Sequence, residues 1–303
     1  MQKHTLFFSG RNSKKRGIFH TQTFKYFINF FAIVLNLYHC YYYDMIGFLL
    51  KKTLYDLWDN MFKIVVLNIG FFLCTAIALL PAFLPRLFSS TMYVVALGVI
   101  GALVCSIYLA MVSFTVKTIS DYGTFTFADF IGNFKNALPS GIAMFFVLLL
   151  FFFVAIIVIP FYAGMGTLLG LILTALIIWL VIFALLSFQF YYVVYVRLGQ
   201  NIIKSFKKCM LISLDNTGLS IFLMIHNILA LMLSVVLVFM FPGPAGVILY
   251  LDEAVRLRLL KYDWLEANPG ADRRKIPWDE LLIEERDKTG HRTFRNFIFP
   301  WKD

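Results

Sequence analysis

Asp252 and Glu253 follow an apolar run over residues 245–251, and Arg256 comes one helical turn later. At ~1.5 Å per residue, Asp252 would lie about 12 Å along a helix begun at Pro244. That is near the bilayer midplane if the helix stands upright, and an ionisable residue at that depth is a functional-site candidate by default. Arg256 stands at i+4 from Asp252 and i+3 from Glu253, so an ion pair on one helix face is available. The competing reading is a short or interfacial helix whose charges are simply wet. Asn68, Gln189, His226 and Asn227 also lie in or near apolar stretches. Such residues could line a substrate path. Their ordinary role is to join helices by hydrogen bonds worth only ~0.6 kcal/mol on average.

The usual catalytic constellations are missing. The chain has no GxxxxGK[ST] phosphate loop, no HExxH and no GxSxG. Of His4, His20, His39, His226 and His291, only His226 falls in a predicted span. Cys40, Cys74, Cys105 and Cys209 make no CxxC and no Cys/His ligand spacing. Three of these lie in apolar stretches, and Cys209 lies in a basic surface segment. Free thiols of this kind usually act as small hydrophobes. The sequence therefore predicts no enzyme, no metal, no cofactor and no disulfide framework.

The elements that would position these residues are membrane helices. The chain is 60% hydrophobic and only 15% charged, whereas soluble domains run near ~45–50% and ~25%. A net charge of +10 would suggest nucleic acid in a soluble protein. Here the basic residues flank apolar stretches, so lipid headgroups and orientation account for them better. Spans are predicted at about residues 64–84, 92–116, 141–159, 167–196 and 219–241. Pro160 is expected to stop the third. A sixth helix follows the Phe-Pro-Gly-Pro turn, from Pro244 to about Tyr262.

Three short segments share an apolar face at helical spacing and run into these spans: 54–63, 127–135 and 202–207. Each ends in Phe-Lys, at Phe62-Lys63, Phe134-Lys135 and Phe206-Lys207, with the phenylalanines 72 residues apart. They are expected to lie along the membrane surface. The predicted fold is an all-α membrane protein of six transmembrane helices, built from three parallel repeats of a surface helix plus a helical hairpin. From residue 45 on, only Arg86 is basic on one side. Lys51, Lys52, Lys63, Lys117, Lys135, Arg197, Lys204, Lys207 and Lys208 gather on the other, which predicts that both termini are cytoplasmic. Residues 1–44 form a basic and aromatic extension that reads either as signal-like or as upstream sequence before a start at Met45. Residues 45–262 form the membrane domain and 263–303 a polar cytoplasmic tail, with a short charged helix expected at 279–286. The basic, aromatic end at 292–303 reads either as a packed tail or as a lipid or partner contact.

The stretches FTFADFIGNFKNALPSG (125–141) and YVRLGQNIIKSFKKCMLISLDN (195–216) carry a further indication. With the Phe-Lys pattern and the hydropathy profile over roughly 50–262, the chain resembles the YesL-like family of bacterial membrane proteins, whose biochemical role is unassigned. Members of that family often accompany carbohydrate uptake transporters. The resemblance implies a non-enzymatic accessory or scaffold protein of the cytoplasmic (inner) membrane, partnered by lipid and by a membrane protein such as a transporter, with no nucleic acid. The alternative is a small secondary transporter or channel with a polar intramembrane site.

Overall fold

The computed structural model describes residues 45–83, 91–237, 240–273 and 276–290, and all regular structure among them is helical. The extension before residue 45 and the end at 292–303 lie outside the described residues. Helix α1 covers 45–59, and α2 (Met61–Phe83) and α3 (Thr91–Ser120) form a hairpin. A short α4 (Phe127–Gly132) leads into α5 (Phe134–Phe153). A π-helical turn at Val154–Val158 joins α5 to α6 (Ile159–Ala163), and α7 (Leu168–Phe188) returns into α8 (Tyr191–Arg197). Then come α9 (Ile202–Asp215), α10 (Thr217–Val236) and α11 (Gly243–Ala267), followed by short helices α12 (Trp278–Leu281) and α13 (Ile283–Thr289).

Among the described residues, five stretches are long and apolar enough to cross a membrane: Met61–Leu80, Met92–Ser120, Phe134–Ala163, Leu168–Arg197 and Thr217–Val236. We read the chain as a multi-pass membrane protein. The predicted sixth span, α11, is not among the five. Asp252, Glu253, Arg256, Arg258 and Lys261 interrupt its apolar part, and its beginning does not reach the far end of α2. Asn68 sits only seven residues into the 23-residue α2, yet its Nδ2 donates to the carbonyls of Met240 (3.0 Å) and Pro242 (2.7 Å), and its Oδ1 accepts from Ala245 N (2.9 Å). The turn between α10 and α11 is thus tied about a third of the way along α2. Gly243, at φ +62°, is needed there, because a Cβ would fall 2.3 Å from the Asn68 side chain.

The predicted stop at Pro160 does not occur. Proline lacks an N–H and crowds the carbonyl four residues back. The π turn immediately before it widens the helix at that carbonyl, so the helix continues to Ala163. Close helix approach elsewhere depends on small residues. A Cβ on Gly141 of α5 would lie 2.5 Å from Ile107 Cα of α3.

The three amphipathic segments do precede three hairpins, but the Phe-Lys pairs do not mark equivalent places. Phe62-Lys63 and Phe134-Lys135 open α2 and α5, whereas Phe206-Lys207 lies inside α9. What recurs at the junction is an asparagine between the two helices: Asn60, Asn133 and Asn216. Asn60 and Asn216 each donate a side-chain N–H to the carbonyl four residues back, at 3.1 and 3.2 Å.

The core sits at one end of the bundle. Leu49, Val112, Val116, Tyr191, Val194, Cys209, Leu223, Leu249 and Val255 belong to one buried cluster, built by α1, the last half of α3, α8, α9, the start of α10 and α11. Trp278 and Leu282 close over it from α12 and the turn after it, so this part of the predicted polar tail is packed into the fold. Cys209, expected on a basic surface, is wholly buried, and burial pushes its thiol up to about 12. Away from this end the helices are apolar and exposed. Between Phe145 and Ser187, Gly170 is the only buried residue.

Candidate functional site

Asp252 and Glu253 are adjacent on α11, so their side chains leave the helix about 100° apart and reach different neighbours. Asp252 receives Arg197 at the end of α8: Arg197 Nε to Oδ1 is 2.8 Å, and Nη2 donates to Oδ2. Glu253 receives Lys52 from α1 through Oε1. Lys52 also donates to Asp56 Oδ2 at 2.7 Å and to the Ser120 carbonyl at 3.1 Å. The expected pairing of Arg256 with Asp252 and Glu253 does not form. Arg256 instead donates to the Ser120 carbonyl and, at 2.8 Å, to Glu285 Oε1 on α13.

Ser120 is the last residue of α3, where helix carbonyls lack partners and the helix dipole is negative. Two cations meeting at that carbonyl cap the helix. Arg197 Nη2 adds bonds to Ser120 Oγ (2.9 Å) and Asp121 Oδ1 (3.1 Å). Tyr122 roofs the cluster at φ 60°, with Lys52 Nζ 4.2 Å and the Arg256 guanidinium 5.1 Å from its ring centre. Its hydroxyl donates to Glu285 Oε2 at 3.0 Å, and burial, aided by the Glu285 charge, raises its pKa. A tyrosine in the left-handed region is strained by roughly 1–3 kcal/mol, so the surrounding contacts must hold it there.

Lys52, Asp252 and Glu253 are each only 1% exposed. These charges are therefore buried, in folded protein beside the ends of α3 and α8. Lys52, Arg197 and Arg256 face Asp56, Asp121, Asp252, Glu253 and Glu285, so carboxylates outnumber cations. Glu253 Oε2 has no partner, and burial pushes this carboxyl up from its ordinary range against the pull of Lys52. A smaller cluster lies further along α11, where Lys261 and Tyr262 meet Asp215 (3.3 and 3.0 Å) and Asn216 (3.4 and 2.7 Å).

The other predicted residues fall in two places. Gln189 and Asn227 meet between the end of α7 and α10, while the adjoining His226 packs on α11. Gln189 Nε2 donates to the Ser220 carbonyl at 2.9 Å, Asn227 Nδ2 reaches Gln189 Oε1 at 3.4 Å, and His226 stacks on Tyr250 of α11 at 3.7 Å. Asn68 stands apart at the hairpin turn. Lys52, Arg197, Ser120, Tyr122 and Glu285 were not singled out as site residues. Lys52 and Arg197 carry a sequence signal only as basic residues flanking apolar stretches, and nothing local links them to partners 201 and 55 residues away.

These ionic groups are held mainly by one another, and among the described residues no serine, threonine or cysteine nucleophile is hydrogen-bonded to a base in the cluster. Among the described residues, no group of three or more His, Cys, Asp or Glu is placed to hold a metal ion. Two clefts open nearby. One, of about 340 Å³, is lined by Phe114, Lys117, Thr118, Asp121, Asn133 and Gln200 among others. The second, of about 220 Å³, is apolar and lies between Phe62, Lys63, Val66, Leu67, Phe125 and Phe127. Neither is lined by Asp252 or His226. Comparison with known proteins finds no family model, no curated protein and no solved structure that matches this chain.

Proposed function

We propose that this is a non-enzymatic accessory or scaffold protein of the cytoplasmic membrane. In this reading its charged end is a structural lock and the hairpin α5–α7 is a lateral arm that docks on another membrane protein, such as a carbohydrate transporter. One observation carries the reading. From residue 146 to 186 the arm buries only Gly170, so nearly all of its apolar surface is left for lipid or for a partner. Trp179 at 70% exposure and Phe152 at 67% are the kind of rigid aromatic anchors that dominate interfaces. The gathering of Lys51, Lys117, Lys135, Lys204 and Lys207 near the locked end supports placing that end, and both termini, in the cytoplasm. The order surface helix then hairpin, three times over with an asparagine at each junction, supports descent of the architecture from a three-fold repeat.

A second reading, transport of a small solute, is favoured by one feature. His226 Nδ1, Asn227 Oδ1 and the Tyr250 hydroxyl are buried without a hydrogen-bond partner at the α10–α11 contact. A tagged full-length chain extracted in mild detergent separates the two readings. The scaffold reading expects a second membrane protein in stoichiometric amount, lost when Phe152 and Trp179 are both changed to alanine. Purification of the chain alone, together with solute uptake into proteoliposomes that His226→Ala abolishes, would establish transport instead.

A further inference from the structure

We infer that the cleft between the end of α3, the α4–α5 junction and the loop after α8 is a binding site for the phosphodiester headgroup of an anionic lipid. Its volume is about 340 Å³. Phe114 and Val196 give it an apolar floor, while Lys117, Thr118, Asn133 and Gln200 supply its polar wall. The Lys117 ammonium and the Asn133 and Gln200 side-chain amides have no polar partner among the described residues, whereas the charges of the neighbouring lock are bonded to one another. Asp121, the one carboxylate on the wall, lies 3.1 Å from Arg197, which it shares with Asp252, and 4.0 Å from Arg256, which it shares with Glu285. The cleft therefore presents one cation that makes no direct ion pair among the described residues and two sets of unused amide donors, the equipment for a phosphate.

Two further observations point to a lipid as the source of that phosphate. The surfaces beside the cleft expose apolar side chains: Phe127 and Ile131 on α4, Phe134 at the start of α5, and Ile203 on α9. Such side chains are the surface that acyl chains would cover. Basic pockets between membrane helices near the cytoplasmic surface are known to take anionic headgroups. Gln200 is moreover held at φ 49°, where glycine would be at ease. This left-handed turn ends α8, with Gln200 N donating to the Tyr195 carbonyl at 3.0 Å, and it brings Gln200 to the cleft wall. The site does not depend on the arm's having a protein partner.

The test is native mass spectrometry of the delipidated full-length protein, titrated with phosphatidylglycerol or with phosphatidylcholine of the same chains. One phosphatidylglycerol should be retained in preference to phosphatidylcholine, and Lys117→Gln should reduce that retention about fivefold, the effect of one cation near a lipid surface. Gln200→Gly is the sharper variant, because it changes no charge. It should raise the thermal midpoint by relieving strain and yet lower phosphatidylglycerol retention. Lys135→Gln, which removes a nearby cation outside the cleft, should change retention less than Lys117→Gln. Equal retention of the two lipids, or a Gln200→Gly protein that keeps full retention, would overturn the site. Displacement of phosphatidylglycerol by equimolar glycerol phosphate would overturn the assignment to a lipid.

Discussion

Arg197 is the residue on which the charged end most depends. It joins α8 to Asp252 on α11 and to Ser120 and Asp121 at the end of α3. Among the described residues Asp252 has no other basic partner within bridging distance, so Arg197→Leu leaves a buried carboxylate stranded, which typically costs about 3–5 kcal/mol. The double variant Arg197→Leu/Asp252→Leu should be more stable in detergent than Arg197→Leu alone. Arg256→Leu should not be rescued by Asp252→Leu, because those two residues do not pair. Glu253 adds a pH dependence. Its carboxyl is raised from about 4.5 to about 8 by burial, opposed by Lys52. The folded chain therefore holds this proton more tightly than the unfolded chain does. That stabilisation is complete below the unfolded value and is lost as pH rises through about 8. The thermal midpoint should fall between pH 5 and 9, and Glu253→Gln, which mimics the protonated form, should flatten the fall; parallel profiles would count against it. The sequence marks Asp252, Glu253 and Arg256 as unusual because charge interrupts an apolar helix. It cannot give their partners, since the intrahelical spacing that suggests Asp252 with Arg256 is overruled by cations arriving from α1 and α8.

Among the elements, the five apolar helices were legible because each is a long run with few charges, and their predicted limits lie within about four residues of those found except at the start of the third and the end of the fifth, which stops at Val236 rather than Phe241. That helix begins at Phe134 because α4 and α5 follow each other with one residue between them. α11 was read as a span because its first half is apolar. The run is apolar because it is packed between α2, α3 and α10 in the protein core, and composition does not distinguish a protein interior from a lipid one. Asn68 fixes how far this helix penetrates. Replacing it with leucine leaves the Met240 carbonyl and the Ala245 N–H without partners, at about 1–3 kcal/mol for each where buried, and leaves the Pro242 carbonyl with only Gly246 N at 3.1 Å. Asn68→Leu should therefore lower the thermal midpoint well beyond the effect of Asn227→Leu, whose one side-chain bond is long at 3.4 Å. Similar losses for both would show that the turn is not held by Asn68.

At the scale of the whole molecule the chain is uneven. One end is a packed, ion-paired core assembled from α1, α3, α8, α11 and α13, and the rest is apolar helix with little of its own surface covered. The unevenness was not legible in the sequence, because a lipid-facing leucine and a partner-facing leucine are the same residue. Photo-crosslinking from the arm tests the consequence most directly. A benzoylphenylalanine placed at Trp179 on the arm is compared in living cells with one at Leu73 on α2, which is also apolar and exposed. The account predicts a discrete crosslink to a second membrane polypeptide from position 179 and none from position 73. Lipid adducts alone from both positions would contradict it.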